Sequence, residues 1–245
     1  GEAERSCHHD VDQYDEALRD ALDAQNELLN DAARLFADNP TPLAVDLAAG
    51  GTAELFSLHS GLLGVSHVVA VTQSELPAYL DQRAKITGSD LQQVQPPGTR
   101  EVYWLPAITI PESTLKIPNV DNRAIPKNRS AIEQSVGADA TVIAAPIEVP
   151  ITNNAEDEEL AVFSLFRPVD ADRPASATRG WASSTILGDV FVAGIMPGFP
   201  HSVEVSVVAD STREPVGAYV GREDPDDDPE DRMRASSTLE AYGTT

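Results

Sequence analysis

The chain has 245 residues, of which 41% are hydrophobic and 5% aromatic, enough apolar material for one large domain or two small ones. Forty acidic residues against seventeen basic ones leave a net charge of −23, which repels phosphate and argues against nucleic acid or an anionic membrane surface as a partner. With one cysteine, Cys7, no internal disulfide can form.

Residues 10–38 read as one long helix. Val11, Tyr14, Leu18, Ala21, Gln25, Leu28, Ala32 and Leu35 recur in steps of three and four, a heptad-like seam interrupted by Gln25. Such a seam packs on its own domain, pairs with a second copy of the chain as a homodimer, or does both. "NPTP" at 39–42 ends the helix, because proline cannot continue it. A short helix is expected at 53–63, a β-branched strand at 65–71, and a helix from Ser74 to about residue 87. "VQPPGT" reads as a loop. The strand at 101–110 contains Pro106, which places it at a sheet edge or a bulge.

A third helix follows in "PKNRSAIEQSVG". The uncharged run "TVIAAPIEVP" at 141–150 reads as a buried strand, "NNAEDEE" as a charged turn, and "LAVFSLFRPV" as the returning strand. "HSVEVSVVAD" alternates and pairs with "REPVGAYVG" in a second, smaller sheet. The remainder is an acidic, proline-punctuated loop, "GREDPDDDPEDR", and a possible last strand in "SSTLEAYGTT". Together the elements give an α/β fold of the α+β kind, with antiparallel sheets.

Few residues suggest chemistry. "CHHD" at 7–10 holds metal-ligand types, but four adjacent residues of a helix cannot converge on one ion, and "EDPDDDPED" lacks the glycine and terminal glutamate of a calcium loop. His59, His67 and His201 are scattered, and no nucleophile elbow, phosphate loop or zinc-protease motif occurs. Neither catalysis nor a metal or cofactor is expected. No apolar run is long enough to span a membrane and no signal peptide is visible. The abrupt start at "GEAERS" suggests a piece excised from a longer protein, with spanning segments on either side.

Four segments, in this order, resemble the CHASE domains, extracytoplasmic sensor modules of transmembrane receptors. They are "GVSHVVAVTQSELPAYLDQRAK", "VDNRAIPKNRSAIEQSVGADATVIAAPIEV", "AVFSLFRPV" and "RGWASSTILGDVFVAGIM". The resemblance runs from about Glu54 to Tyr219, and the lead-in "PESTLKIPNV" and the longer hairpin at "TNNAEDEE" depart from the family's pattern. It implies a long N-terminal helix followed by two PAS-like antiparallel-sheet subdomains. The corresponding divisions are residues 1–52 for helix and linker, 53–172 for the membrane-distal, ligand-binding subdomain, and 173–245 for the smaller, membrane-proximal one. It also implies a ligand-sensing domain anchored in the cell membrane through the full-length protein, of the sensor histidine kinase or diguanylate cyclase type. The alternative is a ligand-free dimerisation module.

The family's plant cytokinin receptors use an aspartate before the central helix to bond an adenine ring, and a main-chain group of the apolar-Pro strand. The matching positions are Asp121 and Ile143. Asp121 could equally cap a turn, since "VDNRAIP" is rich in turn formers. Trp104 is a candidate pocket wall, with core packing as its other reading. Phe163 and Leu165 share one strand face, so either both meet the ligand or neither does. The expected ligand is small and at least partly flat or apolar, and the resemblance to the plant receptors implies an adenine-like one.

Overall fold

The computed structural model describes residues 2–38, 59–87, 93–110, 119–138, 140–153, 156–169, 180–195, 204–209 and 214–220. Helix α1 (Glu2–Asp38) begins eight residues earlier than its hydrophobic stripe suggests. The strands β1 (Leu62–Thr72), β3 (Val102–Ile110), β5 (Val142–Asn153), β6 (Glu156–Pro168) and β7 (Trp181–Leu187) form one five-stranded sheet. Helices α2 (Leu76–Thr87), α3 (Pro126–Ala138) and α4 (Gly188–Ile195) alternate with them, and β2 (Val94–Gln95) pairs in parallel with β4 (Asn119–Val120). A separate hairpin joins β8 (Glu204–Ala209) to β9 (Glu214–Val220).

The large sheet runs β3-β1-β7-β6-β5, antiparallel at every pairing. Numbered among themselves, its strands follow the order 2-1-5-4-3, the antiparallel sheet of a PAS-like unit. The fold is thus α+β, a long helix followed by a PAS-like sheet with helices. The expected division at residue 172 assigned Trp181–Leu187 to the second unit, but β7 is the central strand of the large sheet. The chain leaves that sheet only after Leu187, through α4, which packs on β9. Gly180 admits β7 to this crowded centre. Its φ is +119° and a Cβ there would collide with the Val68 carbonyl.

Each face of the sheet is closed differently. On one side, Val65, Ile108, Phe163, Leu165, Ala182 and Ile186 meet Leu18, Leu22, Leu29 and Phe36 of α1. Phe163 also makes an edge contact with Phe191 of α4, centroids 5.4 Å apart. On the opposite side, Val68, Val142, Ala144, Phe166 and Trp181 pack with Ala131 and Ile132 of α3. Near the β1–β3 end, α2 sets Leu76, Tyr79 and Leu80 against Val71, Tyr103 and Leu105.

The stripe on α1 that might have paired two copies is therefore used within the chain. Tyr14, Leu18, Leu22, Gln25, Leu29, Ala32, Ala33 and Phe36 are its buried members. The exposed side of α1 carries Asp12, Glu16, Asp20, Asp23, Glu27, Asp31 and Asp38 against Arg19 and Arg34.

Two local expectations change. Residues 62–63 begin β1 instead of ending a helix, while 53–58 lie outside the described residues. The acidic run expected as a turn instead extends β6, with Glu158 opposite Ile151 and Glu159 opposite Pro150. Ladder bonds are made by the backbone whatever the side chain carries. The acidic stretch at 222–231, His201 and the final "SSTLEAYGTT" lie outside the described residues.

Phe163 is 1% exposed between α1 and α4. Phe163→Ala should cost about 3–5 kcal/mol in urea unfolding. A loss below about 1 kcal/mol would mean that the side chain borders open space.

Candidate functional site

β3 is an edge strand, so its outer backbone groups need partners from outside the sheet. The 3-10 turn at Asn122–Ala124, with Asp121 as its cap, supplies them. Asp121 Oδ1 accepts hydrogen bonds from the Trp104 amide at 2.8 Å and the Arg123 amide at 3.1 Å. The Asn122 amide group donates to the Trp104 carbonyl, and Arg123 Nη1 donates to the Val102 carbonyl. Asn128, one turn into α3, donates to Asn122 Oδ1 at 2.9 Å. The turn thus ties the sheet edge to α3.

Asp121 is fully buried. Among the described residues its Oδ2 has no hydrogen bond but lies 3.4 Å from Arg100 Nε, an ion pair without hydrogen-bond alignment. Its amide donates to the Gln95 carbonyl at 2.7 Å. "VQPPGT", expected as a loop, contributes this contact through the short β2–β4 pairing. Asp121 therefore occupies the cap role that its turn-rich neighbourhood allowed.

The other candidates divide between the two faces. Trp104 lies on the α3 side, half-buried, its ring 5.1 Å from that of Trp181 and beneath the Arg123 guanidinium at 5.8 Å. Phe163 and Leu165 lie together on the opposite side, against α1. Ile143 is the cross-strand partner of Leu165 and its side chain packs in the same α1 cluster. The five residues thus do not converge on one pocket. Just beyond Ile143 the β5 register shifts between Ala144 and Ile147, and the Pro146 carbonyl accepts from Lys127 Nζ at 2.6 Å.

The α3 face carries a feature the residue types alone did not reveal. Thr109, Ser66 and Ser183 are direct neighbours across β3, β1 and β7, and Thr185 and Ser164 are neighbours across β7 and β6. Strand alternation places them on the face of Val68, Phe166 and Trp181. Ser66 and Thr109 share a 3.0 Å hydrogen bond between hydroxyls. Thr109, Ser164 and Ser183 are each 5% exposed. At the α3 end of this row, Trp181 Nε1 is buried with no hydrogen-bond partner among the described residues. An unpaired buried donor costs about 1–3 kcal/mol. The clue was the alternation of Ser183 and Thr185 in "WASSTIL", which becomes a patch only once β1 and β6 flank β7.

These features define a sensor-type α+β domain: a PAS-like sheet clamped by a long helix on one side, with a hydroxyl-lined face on the other. The chain belongs to the CHASE domain family, which it matches over residues 51–219. CHASE domains are extracytoplasmic sensor domains of membrane receptors, not catalytic ones. No curated protein matches the chain. Among solved structures it is similar to the ligand-binding domain of the Pseudomonas aeruginosa PAO1 amino-acid chemoreceptor PctC in complex with GABA, at 13% identity and a TM-score of 0.48. That similarity covers 87% of this chain and 80% of the other. Among the described residues no helix is long and apolar enough to cross a membrane.

Asp121→Ala strands two amide donors and should cost about 2–4 kcal/mol in chemical unfolding. Asp121→Asn keeps an Oδ1 acceptor and should cost less. Full stability in the alanine variant would show that the carboxylate holds nothing within the chain.

Proposed function

We propose that this domain senses a small molecule bound on the α3 face of the large sheet, over the hydroxyl row and beside Trp104 and Trp181. The observation that carries the reading is Trp181 Nε1, buried with no hydrogen-bond partner among the described residues, on the strand face that also carries Ser183. A buried indole N–H left without a partner is costly, so an acceptor is expected to meet it. A ligand that offers an acceptor to Trp181 would satisfy that donor while lying over the hydroxyls. Serine and threonine serve as both donor and acceptor, and the two indoles supply flat walls. This combination suits a neutral, flat, polar molecule such as an adenine-like heterocycle.

In this reading Trp104, Trp181 and Ser183 contact the ligand, while Asp121 positions. It holds the Trp104 backbone and the turn that leads into α3. Ile143, Phe163 and Leu165 form the packed side that transmits strain to α1. The domain belongs to a membrane-anchored receptor whose output, a histidine kinase or a diguanylate cyclase, lies on the same polypeptide. Signalling requires the ligand to favour one arrangement of sheet and helices over another. The rival reading, a dimerisation module without a ligand, would have to pair copies through surfaces other than the α1 stripe, which packs within the chain.

Thermal-shift screening of a metabolite collection against the chain tests the proposal. A ligand at 100 times its Kd stabilises the native state by about 2.7 kcal/mol. Trp181→Phe keeps a ring but removes the donor, and should weaken such a ligand about fivefold to tenfold; Ser183→Ala should do the same. Hits that bind both folded variants as tightly as the parent would place the site elsewhere.

A further inference from the structure

A second polar anomaly lies on the other side of the sheet, far along α1. A cleft of about 200 Å³ opens between α1, the turn before β1 and α4. Ala21 and Ala24 give it a floor of methyl groups, and Phe191 and Ile195 form the facing wall. Ser60 and Gly194 close one side. The Ser60 hydroxyl donates to the Val190 carbonyl at 2.9 Å, and a Cβ on Gly194 would collide with Ser60. Gln25 also lines the cleft. It is 1% exposed, and its Oε1 is buried with no hydrogen-bond partner among the described residues.

We propose that this cleft is a second binding site, for a small neutral aromatic molecule bearing one N–H or O–H donor. Size sets the first limit: an apolar cavity of about 150 Å³ already accommodates benzene, so one ring or two fused rings fit. The lining sets the second. Methyl groups and the Phe191 ring favour a flat apolar body, and the buried Gln25 acceptor, unpartnered among the described residues, selects a donor on it. Charge sets the third. His59 is the titratable group lining the cleft, and burial lowers its pKa, so its ring is neutral at pH 7. An ion placed here would lose hydration with no charged side chain among the described lining residues to meet it.

The site is independent of the sheet-face site proposed above and sits where it could influence the same output. Its walls are the long helix and α4, and α4 is the segment that leads from the large sheet to the β8–β9 hairpin. A molecule wedged there contacts both structures that hold the sheet from the α1 side.

Indole and benzofuran make a suitable probe pair, since they share a shape and differ in the N–H donor. Binding to the intact chain is followed by calorimetry or ligand-observed NMR, with circular dichroism confirming that each variant is folded. Indole should bind the parent chain. Gln25→Leu should weaken indole about tenfold and leave benzofuran unweakened. Ala21→Leu, or Ala24→Val if the first variant does not fold, should remove both by filling the floor. Trp181→Phe should leave indole binding intact, separating this site from the sheet face. The proposal is overturned if indole does not bind up to its solubility limit. It is equally overturned if indole survives the filled variants, or if Gln25→Leu weakens both probes alike.

Discussion

An exposed sheet edge has backbone groups that must be satisfied, and the way β3 satisfies them organises the domain. A single buried carboxylate, Asp121, takes the Trp104 amide and the amide of its own turn on one oxygen. Asn122 and Arg123 take the neighbouring carbonyls. The turn that results is the entry to α3, and Asn128 locks it from the helix side. The position of α3 over the sheet, and with it the shape of the face beneath, follows from how three consecutive residues dock on one strand. Oδ2 of the same carboxylate faces Arg100, which reaches back from the segment before β3. Loss of this one group would loosen the edge, the turn and the helix together.

The two faces of the sheet have different tasks. On the α1 side Phe163, Leu165, Ala182 and Ile186 are almost completely excluded from water, with His67 and Ser184 buried among them. The α3 side begins as a core around Phe166 and Trp181 and then turns polar across Ser183, Ser66 and Thr109. Ser183 has Ala182 and Ser184 as its chain neighbours, so the strand that supplies the polar patch also supplies the opposite core. β7 can do both only because it is central, with β1 and β6 completing each face. A receptor domain needs this asymmetry: a rigid side to transmit a change and a polar side to receive one.

Much of the architecture was legible from local patterns, and the errors share a cause. Pro106 indicated an edge or a bulge, and β3 is both, with its register to β1 shifting between His67 and Val68 opposite Ala107. The α1 stripe was read at heptad spacing, which selects Leu28 and Leu35. The helix buries Leu29 and Phe36 instead, because a straight helix turns 3.6 residues per turn and drifts off a seven-residue repeat. Gln25 looked like a break in the stripe, yet it is buried at the lip of a cleft. Phe163 and Leu165 were rightly tied to one face, but which face holds the ligand is a tertiary fact. Nothing in "LAVFSLFRPV" says that α1 lies over it. The hydroxyl row is scattered over four strands in the sequence and becomes a patch only through their pairing, which also carried β7 away from the unit its sequence position suggested.

The central claim is that the receiving face of the sheet is the α3 side. A crystal structure of the chain with a ligand found by thermal shift tests it most directly. The account expects the ligand against Ser183 and the two tryptophans, with an acceptor within hydrogen-bond distance of Trp181 Nε1. A ligand lodged between α1 and the sheet, in contact with Phe163 and Leu165, would contradict it.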